Sequence, residues 1–238
     1  MVGQSLLHRR LTFPVLVAVI AVAGCSTTSG SGAAAPSAAP STGVPASPSS
    51  DAPRTIPASA FFDMPADMRR ERREAEGAAA VPELCDQELA PSSGVLASAA
   101  VMNLYEQPDA PAGSVPHGVL YQTIRSYEGD GAAEFMERAR NGLAACDSYQ
   151  KNEYTVEVRT KALSGVADEA LTVDLVRPQL DLPGNPTGGE QTNRIVVMRF
   201  GAVVTILYDS EYERSSSIPG LVDIFVDEAA DAVRAWLD

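Results

Sequence analysis

Between Gly118 and Glu128 the chain reads GVLYQTIRSYE, with Val119, Tyr121, Thr123, Arg125 and Tyr127 alternating against Leu120, Gln122, Ile124 and Ser126. A period of two predicts a β-strand. YTVEVRTK, from Tyr154 to Lys161, repeats the pattern with Tyr154, Val156 and Val158 on one side, and GVLASAAVMNLYE (94–106) and EALTVDLVR (169–177) read as further strands. RIVVMRFGAVVTILYD (194–209) differs: it is apolar on both faces and breaks at Gly201, as a central hairpin covered on each side requires. The preceding DLPGNPTGGEQTN (181–193) reads as a long polar loop.

Two segments switch to helical spacing. In DGAAEFMERARNGLAAC, residues Ala132, Phe135, Met136, Ala139, Leu143 and Cys146 recur at intervals of three and four, so the stripe turns the Cys146 sulfur inward. PGLVDIFVDEAADAVRAWLD places Leu221, Phe225, Ala229, Ala232, Val233 and Trp236 on one stripe, with Pro219 suited to the first turn. A third helix is expected over MPADMRRERREAEG (64–77), where acids and bases three or four apart support one another in water. Together these elements predict a single α+β domain over residues 57–238, with a mostly antiparallel sheet flanked by helices.

The N-terminal region has another pattern. MVGQSLLHRR carries Arg9 and Arg10 and no acid, and the apolar run Leu11 to Ala23 follows, interrupted only by Thr12 and Pro14. It is too short to span a bilayer, which takes about 20 apolar residues, and it has the layout of a secretory signal over residues 1–24. Val22-Ala23-Gly24-Cys25 resembles the lipobox of bacterial lipoproteins, which implies that the Cys25 thiol is acylated and becomes the first mature residue. Acyl chains contribute about 0.8 kcal/mol per buried methylene, enough for two or more to hold a domain on a membrane. From Ser26 to Ile56 the chain is nearly all Ser, Ala, Pro, Gly and Thr, a composition that cannot offset its conformational entropy and predicts a disordered tether.

Charge narrows the partners. The 18 basic and 31 acidic residues give a net charge of −13, a poor match for nucleic acid or an anionic membrane face. Beyond Cys25 the cysteines are Cys85 and Cys146. In an exported protein they are expected to form a disulfide, although two buried thiols or metal ligation are the other readings. A zinc site is disfavoured, because His117 is the lone histidine after the signal and no CxxC occurs. No metal or other cofactor is expected.

Enzyme chemistry finds little support. His117 lies between Pro116 and Gly118 in a turn-like setting, no GxSxG follows the signal, and 31 scattered carboxylates single out no pair. Arg125 and Tyr127, sharing a strand face, and Arg199, set in an apolar strand, are the candidate ligand-binding residues, since an arginine there must pair or line a cavity. The competing reading of Arg199 is a neighbouring carboxylate. The run Arg69, Arg70, Arg72 and Arg73 is a candidate basic patch or a solvated face.

IPASAFFDMPADM, VPELC around Cys85, VPHGVLYQTIRSYEGDGAAEFMERARNGLAAC and RIVVMRFGAVVTILY, in that order, resemble the domain of actinobacterial sensor-domain lipoproteins and of the extracellular sensor in PknH-type receptor kinases. The resemblance implies a disulfide-stabilised α+β domain with a ligand cleft between sheet and helices. The chain departs from those kinases in lacking a kinase domain and the sensor's second cysteine pair. The functional expectation is therefore a non-enzymatic sensor or binding module, lipid-anchored on the extracytoplasmic face of the cell membrane, for a small ligand or an envelope protein. A lipid or glycolipid carrier and an envelope enzyme are the alternatives. Replacing Cys25 by serine is expected to abolish detergent-phase partitioning and the acylated mass of the mature protein; an unchanged acylated species would refute lipidation at this cysteine.

Overall fold

The computed structural model describes residues 52–75, 81–85, 87–88 and 94–238, which belong to a compact unit running from Ala46 to Asp238. The signal, Cys25 and most of the tether lie outside the described residues. Among the described residues, eight strands form one antiparallel sheet: β1 (Arg69–Glu74), β4 (Val95–Tyr105), β5 (Gly118–Tyr127), β10 (Val203–Glu211), β9 (Pro186–Phe200), β8 (Glu169–Leu180), β7 (Tyr154–Leu163) and β6 (Ser148–Lys151), in that spatial order. A separate two-stranded ribbon pairs β2 (Glu83–Leu84) with β3 (Gln87–Glu88). Helices α1 (Gly131–Ala144) and α2 (Pro219–Leu237) complete the α+β fold.

Alternation along the central strands sorts the core into two layers. Val203 and Leu207 of β10 and Val196 and Met198 of β9 face α2, whose Phe225, Val226, Ala229 and Val233 pack there with Phe61, Phe62, Met64 and Met68 from the segment before β1. Val204 and Ile206, with Ile195 and Val197, face the opposite way and meet Phe135, Met136, Ala139 and Leu143 of α1. The two-faced apolar hairpin thus has a helical cover on each side, as its sequence requires. On α2 the buried stripe is rotated from the expected one: Val222, Val226 and Ala230 are buried, whereas Leu221, Ala232 and Trp236 lie half-buried at its margin.

Two expectations are corrected. Residues 69–74 form an edge strand rather than a helix, paired antiparallel with β4 from Arg69↔Tyr105 to Glu74↔Val101. The pairing of Arg73 Nε with Glu71 Oε1 at 2.5 Å is an i, i+2 contact that strand geometry permits and helix geometry does not. A charged edge also resists pairing with other chains. Second, the polar loop is largely strand: β9 begins at Pro186, and β8 and β9 continue as a ribbon through Arg177↔Gln191 and Pro178↔Glu190. Its turn is held by Asp181, whose Oδ1 accepts the N–H groups of Gly184 (2.8 Å) and Asn185 (2.7 Å). Polar side chains mark solvent on this extension, not the absence of a ladder.

The chain before the expected domain boundary already docks on the fold: the Ser126 hydroxyl donates to the Pro53 carbonyl at 2.5 Å, and Ile56 packs on the α2-side core. Among the described residues no helix is long and apolar enough to cross a membrane. A Cys85–Cys146 disulfide, with Cα atoms 6.4 Å apart, ties the β2–β3 ribbon to the end of α1. Val81 and Leu84, beside it, join the α1-side core. With the cysteines 61 positions apart in sequence, replacing both by serine is expected to lower unfolding free energy by about 4 kcal/mol on the chain-entropy model. Denaturant melts of oxidised wild type and double variant check this, and equal midpoints would contradict it.

Candidate functional site

On the α2 side, the sheet is not covered as far as its β1–β4 edge. An open cleft of about 1210 Å3 runs there between the strap of residues 56–63, strands β1 and β4, and the solvent flank of α2. Its walls are built from small side chains, Ala58, Ala99, Ala232 and Ala235, with Phe61, Phe62 and Val101 as the apolar floor. Small residues at facing positions leave the groove, because α2 cannot close onto β4 where no side chain bridges them. Arg72, Arg73 and Asp63 line one rim, and Glu228 and Asp231 line the other.

The basic run of β1 is internally compensated. Arg72 donates to Asp63 at 2.6 Å and Arg69 reaches the same carboxylate at 3.5 Å, while Arg70 pairs with Glu106. Arg72 Nη1 also lies 3.5 Å from the Phe62 carbonyl, so this ion pair fixes the strap as well as the rim. Exposed pairs of this kind contribute about 0–1 kcal/mol each; their role here is to position.

The residues singled out in sequence occupy other places. Arg125 and Arg199 fall in one cross-strand row, Ser98–Arg125–Val204–Arg199–Glu169, on the α1 face. Arg199 lies 3.5 Å from Asp168 and 3.6 Å from Glu169, and Glu169 is shared with Arg140 of α1. Arg199 therefore satisfies the carboxylate reading, stitching the start of β8 to the β9–β10 turn, where Asp168 also accepts the Gly201 N–H at 2.7 Å. Arg125 is buried, and Tyr127 is fully buried against Phe135 with ring centroids 5.7 Å apart. None of the three lines the groove. Sequence reasoning missed Asp63, Ala99, Glu228 and Asp231; the one available signal was charge complementarity between the arginine run and the acids of the last helix.

His117 is structural in its contacts. Its Nε2 lies 3.0 Å from the Ser216 carbonyl and so donates, while Nδ1 faces the Gln107 amide at 3.0 Å. The ring also packs beside Tyr105, centroids 5.8 Å apart. Tyr105 in turn lies flat on Gly118, where a Cβ would meet the phenol ring at 2.6 Å, and donates its hydroxyl to Asp209 Oδ1 at 2.8 Å. Burial, then the charge and hydrogen bond of Asp209, push the Tyr105 phenol far up. Burial likewise raises the Asp209 carboxyl against the hydrogen bonds of Ser217 and Tyr105 and the charges of His117 and Arg194, which lower it. A second cluster, distant from the groove lining, pairs Arg177 with Glu211 and with the Tyr154 hydroxyl (2.7 Å). Burial alone would raise Glu211, but the hydrogen bonds from Arg177 and Gln191 hold it below its ordinary range. Among the described residues no three His, Cys, Asp or Glu side chains gather closely enough to hold a metal ion.

No family model matches the chain, and no curated protein matches it. Among solved structures it is similar to the extracellular domain of PknH from Mycobacterium tuberculosis, with a TM-score of 0.41 at 11% identity over 60% of this chain. The match spans 66% of that domain's length.

Asp209 gives a pH signature. Its folded-state pKa is raised, so the folded state holds this proton more tightly than the unfolded chain, where aspartate titrates at about 3.9. Stability from this group is full below that value and is lost as pH rises through the raised folded value. Asp209→Asn keeps an acceptor for Tyr105 and removes the titration. The variant is expected to gain stability relative to wild type as pH rises from 4 and to hold a constant difference above the folded pKa. Denaturant melts across pH 4–8 measure this, and a constant difference throughout would contradict it.

Proposed function

We propose that the chain is a lipid-anchored, extracytoplasmic binding protein without catalytic activity, and that the groove between strap, β1–β4 edge and α2 is where it takes its ligand or partner. The observation that carries this reading is the groove itself: an apolar, alanine-lined floor bounded by charged rims, in a cleft of about 1210 Å3. Its volume suits a ligand or an extended segment of a partner. Because it is open along its length, it favours an occupant that keeps polar flanks in water over an acyl chain withdrawn from water.

The signal-like N-terminus and the lipobox-like Val22–Cys25 support a groove held outside the membrane on a tether. A Ser-, Ala- and Pro-rich linker of the length between residues 25 and 52 would reach about 30 Å root-mean-square. That length lets the domain meet envelope components without leaving its anchor. His117 supports the non-enzymatic reading, since both ring nitrogens already engage Gln107 and Ser216 rather than a nucleophile.

Ala99→Trp fills the groove from a wall position at the margin of the α2-side core. The expected outcome is loss of the molecules that co-isolate with the wild-type, membrane-anchored protein, with a cooperative melt showing that the variant is folded. Undiminished co-isolation by a folded Ala99→Trp protein removes the groove from the binding site, and saturable turnover of an envelope substrate by wild type ends the non-enzymatic reading.

A further inference from the structure

Behind the groove wall, the α2 face of the sheet carries polar side chains where apolar ones are expected. Asn103 of β4, Gln122 of β5 and Thr205 of β10 are 0% exposed, and Asp209 of β10 is 1% exposed. Their register sets Asn103 and Asp209 on one side of Gln122 and Thr205 on the other. Gln122 stands opposite Val101 and Leu207, Leu120 stands opposite Asn103 and Asp209, and Ile124 opposite Thr205. Gln122 is thus the diagonal neighbour of all three, a spacing of about 7–8 Å between backbones that long polar side chains reach across.

Two of these side chains have fixed orientations. Gln122 Oε1 accepts the Phe62 N–H at 3.3 Å, and Asp209 Oδ1 accepts the Tyr105 hydroxyl, so neither bond uses Gln122 Nε2 or Asp209 Oδ2. Gln122 Nε2, Asp209 Oδ2, Thr205 Oγ1 and both amide atoms of Asn103 are buried without a hydrogen-bond partner among the described residues. Buried polar atoms are nearly always satisfied, and left unmade each such bond is expensive. The set contains donors in the two amide groups, acceptors in the carboxylate and the Asn103 carbonyl, and a hydroxyl able to do either. It complements a small neutral molecule that both donates and accepts, and it offers no net positive charge to hold an anion.

We infer that Asn103, Gln122, Thr205 and Asp209 form an internal hydration site that binds ordered water between the sheet and its α2-side cover. Phe62 is its link to the groove, because the same residue lines the groove and donates to Gln122. Water bridging two or more of these groups satisfies what direct contacts do not, and buried waters with two to four partners are integral to a fold. The site stands independently of what the groove binds.

A crystal structure of the mature full chain, at a resolution that shows ordered solvent, tests the inference together with relaxation-dispersion counting of long-lived waters in solution. Density within hydrogen-bond distance of at least two of the four side chains is expected, and Thr205→Val, which removes only a hydroxyl, should lower the long-lived water count by at least one. Asn103→Leu is the second variant, with the same expected loss. If the wild-type structure shows these side chains bonded to one another with no solvent density between them, or if the water count is the same in wild type and both variants, the inference is overturned. The wild-type structure decides even if neither variant folds.

Discussion

The fold depends on a hairpin that must be dry on both sides. Ile195, Val196, Val197 and Met198 on β9, with Val203, Val204, Ile206 and Leu207 on β10, are all at most 1% exposed. Burying a side chain of this size is worth about 1.5–3 kcal/mol, so neither face can be left to solvent. Each face takes a helix, and the two covers are secured differently. The β2–β3 ribbon is tied to the end of α1 through Cys85 and Cys146, while α2 is gripped by aromatics: Phe225 meets Tyr105 edge-on with centroids 5.2 Å apart and stacks near Phe62 at 6.0 Å.

The groove is a consequence of that second cover. A helix lying over β9 and β10 reaches the Tyr105 end of β4 but leaves its Ser98–Ala100 stretch less covered, and the strap fills only part of the difference. Phe62 is the pivot, because it donates its N–H to Gln122, stacks on Phe225 and lines the groove. The geometry that completes the core therefore also shapes the cleft, and the lining of the groove includes residues that hold the α2 layer in place.

Much of the sheet was legible because burial imposes a period. β5 and β7 alternate, the β9–β10 hairpin is apolar on both faces, and the α1 stripe places Cys146 where Cys85 meets it. What escaped sequence reasoning lies where burial imposes none. RRERRE on β1 has no apolar residue to mark a face, so its helix propensity dominated until the pairing with β4 was known, and the Pro186–Glu190 part of β9 is polar because its ribbon projects into solvent. The groove was less legible still: alanines carry little signal in a chain rich in them, and the cleft arises from what small side chains fail to fill. Arg199 shows the opposite case, since its oddity in an apolar strand was visible but its partners, Asp168 and Glu169, depend on a register that only the fold supplies.

Charge pairing completes the picture of what the surface offers a partner. Arg69 and Arg72 are committed to Asp63, Arg70 to Glu106, Arg73 to Glu71, Arg140 and Arg199 to Glu169, Arg177 to Glu211, Arg194 to Asp174 and Arg234 to Asp231. Arginine is thus used mainly as an internal fastener, where its fixed charge and several donors join strands to one another and the strap to the sheet. With so many cations engaged, the unpaired excess over a net charge of −13 is carboxylate. Asp231 is itself paired with Arg234, so of the acids on the α2 rim it is Glu228 that adds to the field around the groove more than the compensated β1 arginines do. A neutral or cationic occupant fits that field, whereas an anionic one would have to displace existing ion pairs on the β1 rim and approach against the charge of the whole domain.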